Sequence, residues 1–256
     1  MRICFVIALL AIAPMALAAI KTETVEYKDG DTTLKGFVAY EENPTSAHPA
    51  VLVVHEWWGL NDYVKSRCEQ LAKLGYVAFA ADIYGEGFTT ADPKVAGAKM
   101  GEAVKRGWRR SRTRLALEQL HKDQGVDQDN IAIIGYCFGG GCALEAARAG
   151  ENIKGVVSFH GSMNTDQPAQ KGQLKAKVLL CHGDADPMVP MSAVEKAQNE
   201  FKDAGVDVKV ITYPGAKHAF TNPDADKYGI DNVAYNKEAD EKSWQAMKEF
   251  LADVLK

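Results

Sequence analysis

The sequence predicts an α/β fold with a mostly parallel central sheet, and three observations support this. Short apolar runs alternate with helical patterns along the chain, which gives parallel strands joined by crossover helices. Residues 50–54 are continuously apolar, as in a strand buried on both faces. Chemically reactive side chains follow several of these runs, at the sheet edge where α/β proteins build their sites. We therefore expect one domain, residues 19–256, with helices on both faces of the sheet.

The strands and helices follow from local patterns. Alternation of period two predicts a strand at residues 34–40, and the other strands are predicted at residues 50–54, 77–80, 131–134, 156–159, 178–181 and 208–213. Residues 62–74 have helical spacing, because Val64, Cys68 and Leu71 fall on one face and Gly75 follows as a stop. Further helices are predicted to begin at Asp92-Pro93, to cover residues 112–122 and 142–149, to begin at a capping box of Ser192 and Glu195, and to cover residues 234–255.

The first 18 residues have the pattern of a secretory signal peptide. Arg2 precedes an apolar run, Pro14 follows it, and Ala16-Leu17-Ala18 provides an A-x-A cleavage site. A membrane anchor is the alternative, but the run is shorter than the roughly 20 residues that a span needs, and Pro14 interrupts it. We predict cleavage after Ala18 and a periplasmic or secreted domain that no longer contacts the membrane.

Charge and cysteine content narrow the function classes. The net charge of −4 argues against a nucleic-acid partner, so the basic run RGWRRSRTR at residues 106–114 is interpreted as a solvated helix face. Cys68, Cys142 and Cys181 show no metal-ligand spacing and are expected to be small buried apolar residues. We expect no cofactor and no metal, a small-molecule substrate, and a monomer.

One glycine-rich stretch fits the pattern of a nucleophile elbow. Gly135-Tyr136-Cys137-Phe138-Gly139 matches G-x-S-x-G with cysteine in place of serine, between a predicted strand and a helical pattern. The nucleophile of such a turn sits in strained backbone geometry between small neighbours. At a helix N-terminus the dipole favours a thiolate. The alternative is a tight glycine turn around a buried cysteine.

A cysteine nucleophile requires a base and a residue that orients the base. His218 follows the predicted strand at residues 208–213, and Asp184 and Asp186 follow the strand at residues 178–181. The chain order nucleophile, acid, histidine is the order of α/β-hydrolases. We prefer Asp186 as the acid and interpret Asp184 as a turn residue.

Five motifs in this order resemble the dienelactone hydrolase family. They are VVHEWWGLN, DIYG, GYCFGG, GDADPMVP and GAKHAF, which begin at Val53, Asp82, Gly135, Gly183 and Gly215. The resemblance covers most of the chain after residue 18. It implies an α/β-hydrolase fold and an ester or lactone hydrolase with a thioester intermediate.

The resemblance also implies roles for individual residues. The matching positions give a triad of Cys137, Asp186 and His218, and Glu56 as a carboxylate that contacts the thiol and helps to deprotonate it. The loop that carries Glu56 also supplies an oxyanion donor in such folds. The two expected donors are the backbone amides of Trp57 and Phe138.

Two positions depart from the family pattern. Members that open dienelactones carry arginines that hold the substrate carboxylate, whereas Glu86 and Asn222 stand at those positions here. These two residues cannot form a bidentate cationic clamp. We therefore expect a neutral ester or lactone as substrate, in an apolar pocket lined by aromatic side chains: Trp57, Trp58, Tyr84, Phe88 and Phe220.

Other readings stay open at this point. A non-catalytic ligand-binding protein could use the same fold, and a thiol redox protein would need Cys137 to pair with a second cysteine such as Cys142. His55, His160 and His182 each end a predicted strand and could converge on a metal, although no ligand-spacing motif supports this. We interpret His55 as structural.

Overall fold

A single eight-stranded sheet runs through this computed structural model, which describes residues 19–42, 46–123 and 125–256. The predicted signal peptide, residues 1–18, lies outside the described residues. The strands are β1 (Ile20–Asp29), β2 (Thr32–Glu41), β3 (His48–Val54), β4 (Val77–Ala81), β5 (Val126–Tyr136), β6 (Gly155–Phe159), β7 (Lys177–Gly183) and β8 (Val208–Tyr213). The helices are α1 (Asp62–Ala72), α2 (Pro93–Lys105), α3 (Trp108–Leu120), α4 (Phe138–Arg148), α5 (Met191–Asp203) and α6 (Lys237–Val254).

The sheet is mostly parallel, as predicted. Its strand order is β1-β2-β4-β3-β5-β6-β7-β8, and β1 and β2 form the antiparallel edge. From β4 to β8 every neighbouring pair is parallel. The carboxyl ends of β3 to β8 therefore meet at one edge of the sheet.

Helices cover both faces of the sheet. In β3, Ala50, Leu52 and Val54 pack into a core that includes side chains of α3, α4 and α5. Val51 and Val53 point to the other face, where α1 and α6 complete a second core. The continuous apolar run of this strand is thus explained by burial on both faces.

Some predicted boundaries differ from the structure. The proposed capping box at Ser192 is wrong, because α5 already begins at Met191 after Pro190 and no side chain caps it. The last helix begins at Lys237, where the Asn236 side chain accepts a hydrogen bond from the Ala239 amide. Strand β1 was not predicted, since its alternation places lysine, threonine and glutamate on an exposed edge.

The structure also bears on membrane contact and on the cysteines. No helix in the described ranges is both long and apolar enough to cross a bilayer. Cys68, Cys142 and Cys181 are buried, as predicted, and no disulfide joins them among the described residues. Burial raises the pKa of each of these three thiols, so they are inert side chains of the core.

Candidate active site

Cys137 occupies a sharp turn between β5 and α4. Its backbone has φ 53° and ψ −115°, a conformation that side chains rarely adopt. Close packing requires the flanking glycines, because a Cβ on Gly135 would collide with the Gly139 carbonyl and a Cβ on Gly139 with that of Val54. The glycines of the motif therefore let the strand turn directly into the helix with the thiol at the apex.

The predicted triad residues lie together. His218 Nε2 is 3.1 Å from the Cys137 sulfur, and His218 Nδ1 is 2.8 Å from Asp186 Oδ2. The other oxygen of Asp186 accepts the amides of Met188 (2.8 Å) and Val189 (3.1 Å), which fixes the carboxylate. Cys137 is half-buried, so the thiol is reachable while the imidazole and the carboxylate are enclosed.

Asp184 stabilises a turn, which is the role that the sequence analysis assigned to it. Its side chain is exposed and accepts the amide of Gly215 at 2.7 Å, across the turn after β8. This bond shapes the loop that leads to His218. The two aspartates of the GDADPMVP motif therefore have different roles. Asp184 stabilises a turn, and Asp186 orients the imidazole of His218.

The electrostatics of the triad favour a charged imidazole. Burial by itself lowers the pKa of His218, but the Cys137 sulfur and the Asp186 carboxylate outweigh it and raise the pKa to about 10. Electrostatic attraction and hydrogen bonds from the partners at the two ring nitrogens are the physical cause. The arrangement therefore favours a proton on His218, next to the Cys137 sulfur.

Glu56 lies at the same sheet edge, fully buried after β3. Asn222 Nδ2 donates to Glu56 Oε2 at 2.6 Å, and no hydrogen bond to Cys137 occurs within the described chain. Burial raises the pKa of Glu56 to about 7, although Asn222 and His218 act in the opposite direction. Glu56 can therefore gain or lose a proton near neutral pH.

Two backbone amides, one after β3 and one at the start of α4, have no acceptor among the described residues. The N–H of Phe138 opens α4, and the N–H of Trp57 follows Glu56. Neither donates to another group in the part of the chain that the structure describes. Unpaired N–H groups beside a nucleophile are what an oxyanion hole requires.

The three strand-end histidines do not converge on a metal. Among the described residues no group of three His, Cys, Asp or Glu side chains could hold one. His160 accepts the Cys137 amide at Nδ1 (3.2 Å) and pairs through Nε2 with Thr221 Oγ1 (2.7 Å). Neither ring nitrogen of the buried His182 has a hydrogen-bond partner in the ranges that the structure describes. Burial lowers the pKa of both rings, which are therefore neutral.

Only part of the predicted aromatic pocket is open to solvent. Trp57 and Phe88 are partly exposed, whereas Trp58 and Tyr84 are each 2% exposed, and Trp58 is stacked on Tyr228 at 4.0 Å. Phe220 was wrongly assigned to the pocket. It is fully buried in the core of the α1 and α6 face, because its ring packs against His160 and Tyr213.

Sequence reasoning missed a buried polar support beneath the site. Arg67 of α1 donates to the Thr221 carbonyl at 2.7 Å and pairs with Asp240 of α6, while Tyr63 donates to the Thr221 hydroxyl at 2.7 Å. The signal was present, since Arg67 falls on the same helical face as Val64 and Leu71. An arginine on an apolar face is paired when it is buried.

A second missed residue is Asp82, which the DIYG motif contributes. Its buried carboxylate accepts four backbone amides, at 2.7–3.1 Å, from the segments around it: Lys35, Tyr84, Gly85 and Gly87. Asp82 thus builds the loop after β4 that carries Tyr84 and Phe88. No cue in a single sequence separates this role from that of a turn aspartate.

The comparisons with known proteins agree with this geometry. The pattern that defines the Dienelactone hydrolase family matches residues 34–255. The chain belongs to the dienelactone hydrolase family. The predicted family, the α/β-hydrolase fold and the prediction of an ester or lactone hydrolase are confirmed.

Several relatives of this family member span nearly its whole length. The solved structure m3DLH is 36% identical, with a TM-score of 0.87, and covers 93% of this chain and 100% of its own. A dienelactone hydrolase-like promiscuous phosphotriesterase from metagenomic libraries is 34% identical, with the same TM-score and coverage. A provisionally named carboxymethylenebutenolidase of Synechocystis is 26% identical and covers 93% of this chain and 98% of its own.

Proposed function

We propose that this family member hydrolyses a neutral carboxylic ester or lactone through a thioester on Cys137. The observation that carries the proposal is the continuous contact from the Cys137 sulfur to His218 and from His218 to Asp186. A thiol beside an imidazole that a carboxylate orients is the arrangement of a nucleophile with its base. The half-buried thiol and the amides of Trp57 and Phe138, which have no acceptor in the described part of the chain, complete the proposed site.

The reaction proceeds in two balanced steps. The Cys137 sulfur attacks the carbonyl carbon, and the amides of Trp57 and Phe138 bind the oxygen that becomes negative. When the C–O bond breaks, His218 gives its proton to the leaving alkoxide and the thioester remains. Water then attacks the thioester, His218 takes the water proton, and the carboxylic acid leaves the sulfur. Asp186 keeps the ring oriented throughout, and both steps balance without a proton from Glu56, whose side chain is hydrogen-bonded to Asn222.

The preference for a neutral substrate is supported by what stands at the two clamp positions. Glu86 is exposed and accepts the amide of Thr33 at 3.0 Å, and Asn222 is fully buried against Glu56. Lys99 is 5.5 Å from the ring centre of Phe88, but its ammonium is paired with Glu102 at 3.0 Å. None of these residues offers a cation that is free to hold a substrate carboxylate.

Turnover of a chromogenic acetate ester tests the proposal, with Cys137→Ala as the blank. Wild type should hydrolyse the ester, and it should open neutral lactones faster than carboxylated dienelactones, while Cys137→Ala should be inactive. Equal rates for wild type and Cys137→Ala would favour a non-catalytic binding protein. Efficient opening of dienelactone with poor neutral-ester turnover would overturn the substrate preference. Thiol counts before and after mild oxidant test for a redox protein.

A second activity is proposed because of one relative. The relative that is named a promiscuous phosphotriesterase is 34% identical across 93% of this chain. A phosphotriester, like a neutral ester, carries no charge that a cationic clamp would hold. The Cys137 sulfur attacks phosphorus, the P–O bond breaks as the aryl alcohol leaves with the His218 proton, and water then cleaves the P–S bond to release the phosphodiester. Release of 4-nitrophenol from diethyl 4-nitrophenyl phosphate, absent in Cys137→Ala, is the expected result. A phosphorylated thiol that never turns over would contradict it.

We also propose export, on the basis of the basic, apolar and A-x-A segments of residues 1–18. Expression of the full chain in a Gram-negative host should place the protein in the periplasm. Its N-terminal sequence should begin at Ala19. A cytoplasmic protein that retains Met1 would contradict the proposal.

A further inference from the structure

We propose that His55 is a positioning residue that holds the oxyanion-hole peptide between Glu56 and Trp57 in its working orientation. The inference rests on the proposed ester hydrolysis and deepens it. It concerns a buried histidine that the triad mechanism does not use. The geometry of its two ring nitrogens carries the proposal.

Both nitrogens of His55 are bound to backbone groups. Nδ1 is 2.6 Å from the carbonyl oxygen of Glu56, and Nε2 accepts the amide of Ile83 at 3.3 Å. An acceptor at Nε2 and a carbonyl at Nδ1 require the neutral ring with its proton on Nδ1. Burial lowers the pKa of His55, which keeps the ring in this neutral form.

The Glu56 carbonyl and the Trp57 amide belong to one peptide group. A trans peptide is planar, so its C=O and N–H point in opposite directions. The Gly59 amide also donates to this carbonyl, at 3.3 Å, but the His55 contact at 2.6 Å is the shorter one. Holding the carbonyl on His55 therefore holds the direction of the Trp57 N–H, which has no acceptor in the described structure. If this peptide rotated, the N–H would leave the oxyanion site.

The neighbouring loop holds the next peptide as well. Tyr84 donates its hydroxyl to the Trp57 carbonyl at 3.1 Å, and its ring meets the edge of His55 with centres 4.8 Å apart. Ile83 and Tyr84 follow Asp82, which braces this loop with four accepted amides. The oxyanion segment is thus tied to a rigid loop at two points, one on each side of the donor amide.

His48 provides a matched control. Its Nδ1 also bonds a backbone carbonyl, that of Gly75 at 2.8 Å, but at the opposite end of β3 from Glu56. Loss of this bond removes a comparable stabilising contact with no connection to the reaction. A purely structural role for His55 would make the two histidines equivalent.

The test compares turnover with thiol reactivity in three variants: His55→Leu, His55→Asn and His55→Gln. The Asn amide can still donate to the Glu56 carbonyl, whereas the Gln amide reaches toward Ile83. Steady-state kinetics with p-nitrophenyl acetate report on the oxyanion hole. The rate of alkylation by iodoacetamide reports on Cys137 and His218, since alkylation forms no oxyanion.

We expect His55→Leu to lower kcat about 10- to 100-fold, less than the roughly 10²–10³ for a donor that is removed outright, with KM and the alkylation rate nearly unchanged. His55→Asn should retain roughly tenfold more kcat than His55→Gln, and His48→Leu should keep the wild-type kcat. The Asn and Gln pair decides the question if His55→Leu does not fold.

Three results would overturn the inference. They are an unchanged kcat in His55→Leu, a parallel loss of alkylation and turnover, and equal kcat values for His55→Asn and His55→Gln. If wild type itself hydrolyses no ester, the proposed function fails instead. The two failures are therefore distinguishable.

Discussion

Replacing Glu56 with glutamine tests whether burial of this carboxyl lowers the free energy of unfolding by an amount that increases with pH. The amide keeps the size of a protonated carboxyl and can still accept from Asn222. Burial raises the pKa of Glu56 from 4.5 to about 7 in the folded protein. Between these pH values the folded chain holds the proton more tightly than the unfolded chain, so the free energy of unfolding falls as pH rises.

The magnitude follows from the size of that rise. Each tenfold change in acidity is worth about 1.4 kcal/mol, so ionising Glu56 removes roughly 3 kcal/mol of stability by pH 8. The Glu56→Gln variant has no such loss. For a domain of this size the melting temperature changes by about 2–4 °C per kcal/mol, which predicts a gap of about 6–12 °C.

Thermal unfolding of both proteins from pH 4.5 to 8.5 measures this gap. The two melting temperatures should nearly coincide at pH 4.5, and Glu56→Gln should melt progressively higher up to about pH 8. Glu195→Gln, at an exposed position of α5, is the control and should follow wild type. Parallel curves for wild type and Glu56→Gln would refute the reasoning.

Two further predictions concern the orientation of the imidazole and the elbow. Asp186→Asn should lower kcat at least about 10²-fold, because the amide favours the wrong tautomer of His218. Esterase kinetics measure this effect, and an unchanged kcat would contradict the prediction. Gly139→Ala should lose more than about 3 kcal/mol in urea unfolding, because the new Cβ collides with the Val54 carbonyl. Gly101→Ala, in the middle of α2 with open space around it, should instead gain about 1 kcal/mol, and equal effects of the two substitutions would argue against the elbow packing.

The parts of the fold that follow from local pattern were predictable from the sequence. Buried parallel strands are continuous apolar runs, and the elbow, the acid turn and the histidine loop each follow one of them. Strand β1 was not predicted because a strand at an exposed antiparallel edge does not need a continuous apolar run. The capping box predicted at Ser192 is wrong because α5 begins one residue earlier, at Met191 after Pro190.

The partners of the buried polar groups were the harder part. The sequence shows that Asn222 stands where the family pattern has an arginine. Its hydrogen bond to Glu56 was not predictable, because it depends on how two distant loops meet at the sheet edge. The same holds for Arg67 with Asp240, which joins α1 to α6. Phe220 was misassigned because an aromatic residue two positions after a catalytic-type histidine gives no indication of which way the chain turns. The spacing of apolar residues predicts helices and strands, whereas pairs of buried polar side chains depend on tertiary contacts.

Capture of the covalent intermediate tests the central claim most directly. Wild type mixed with p-nitrophenyl acetate and quenched in acid within one turnover should carry one acetyl group, and peptide mass spectrometry should place it on Cys137 as a thioester that hydroxylamine removes. Cys137→Ala should carry none. An unmodified Cys137 during active turnover, or an acetyl group on another residue, would contradict the account.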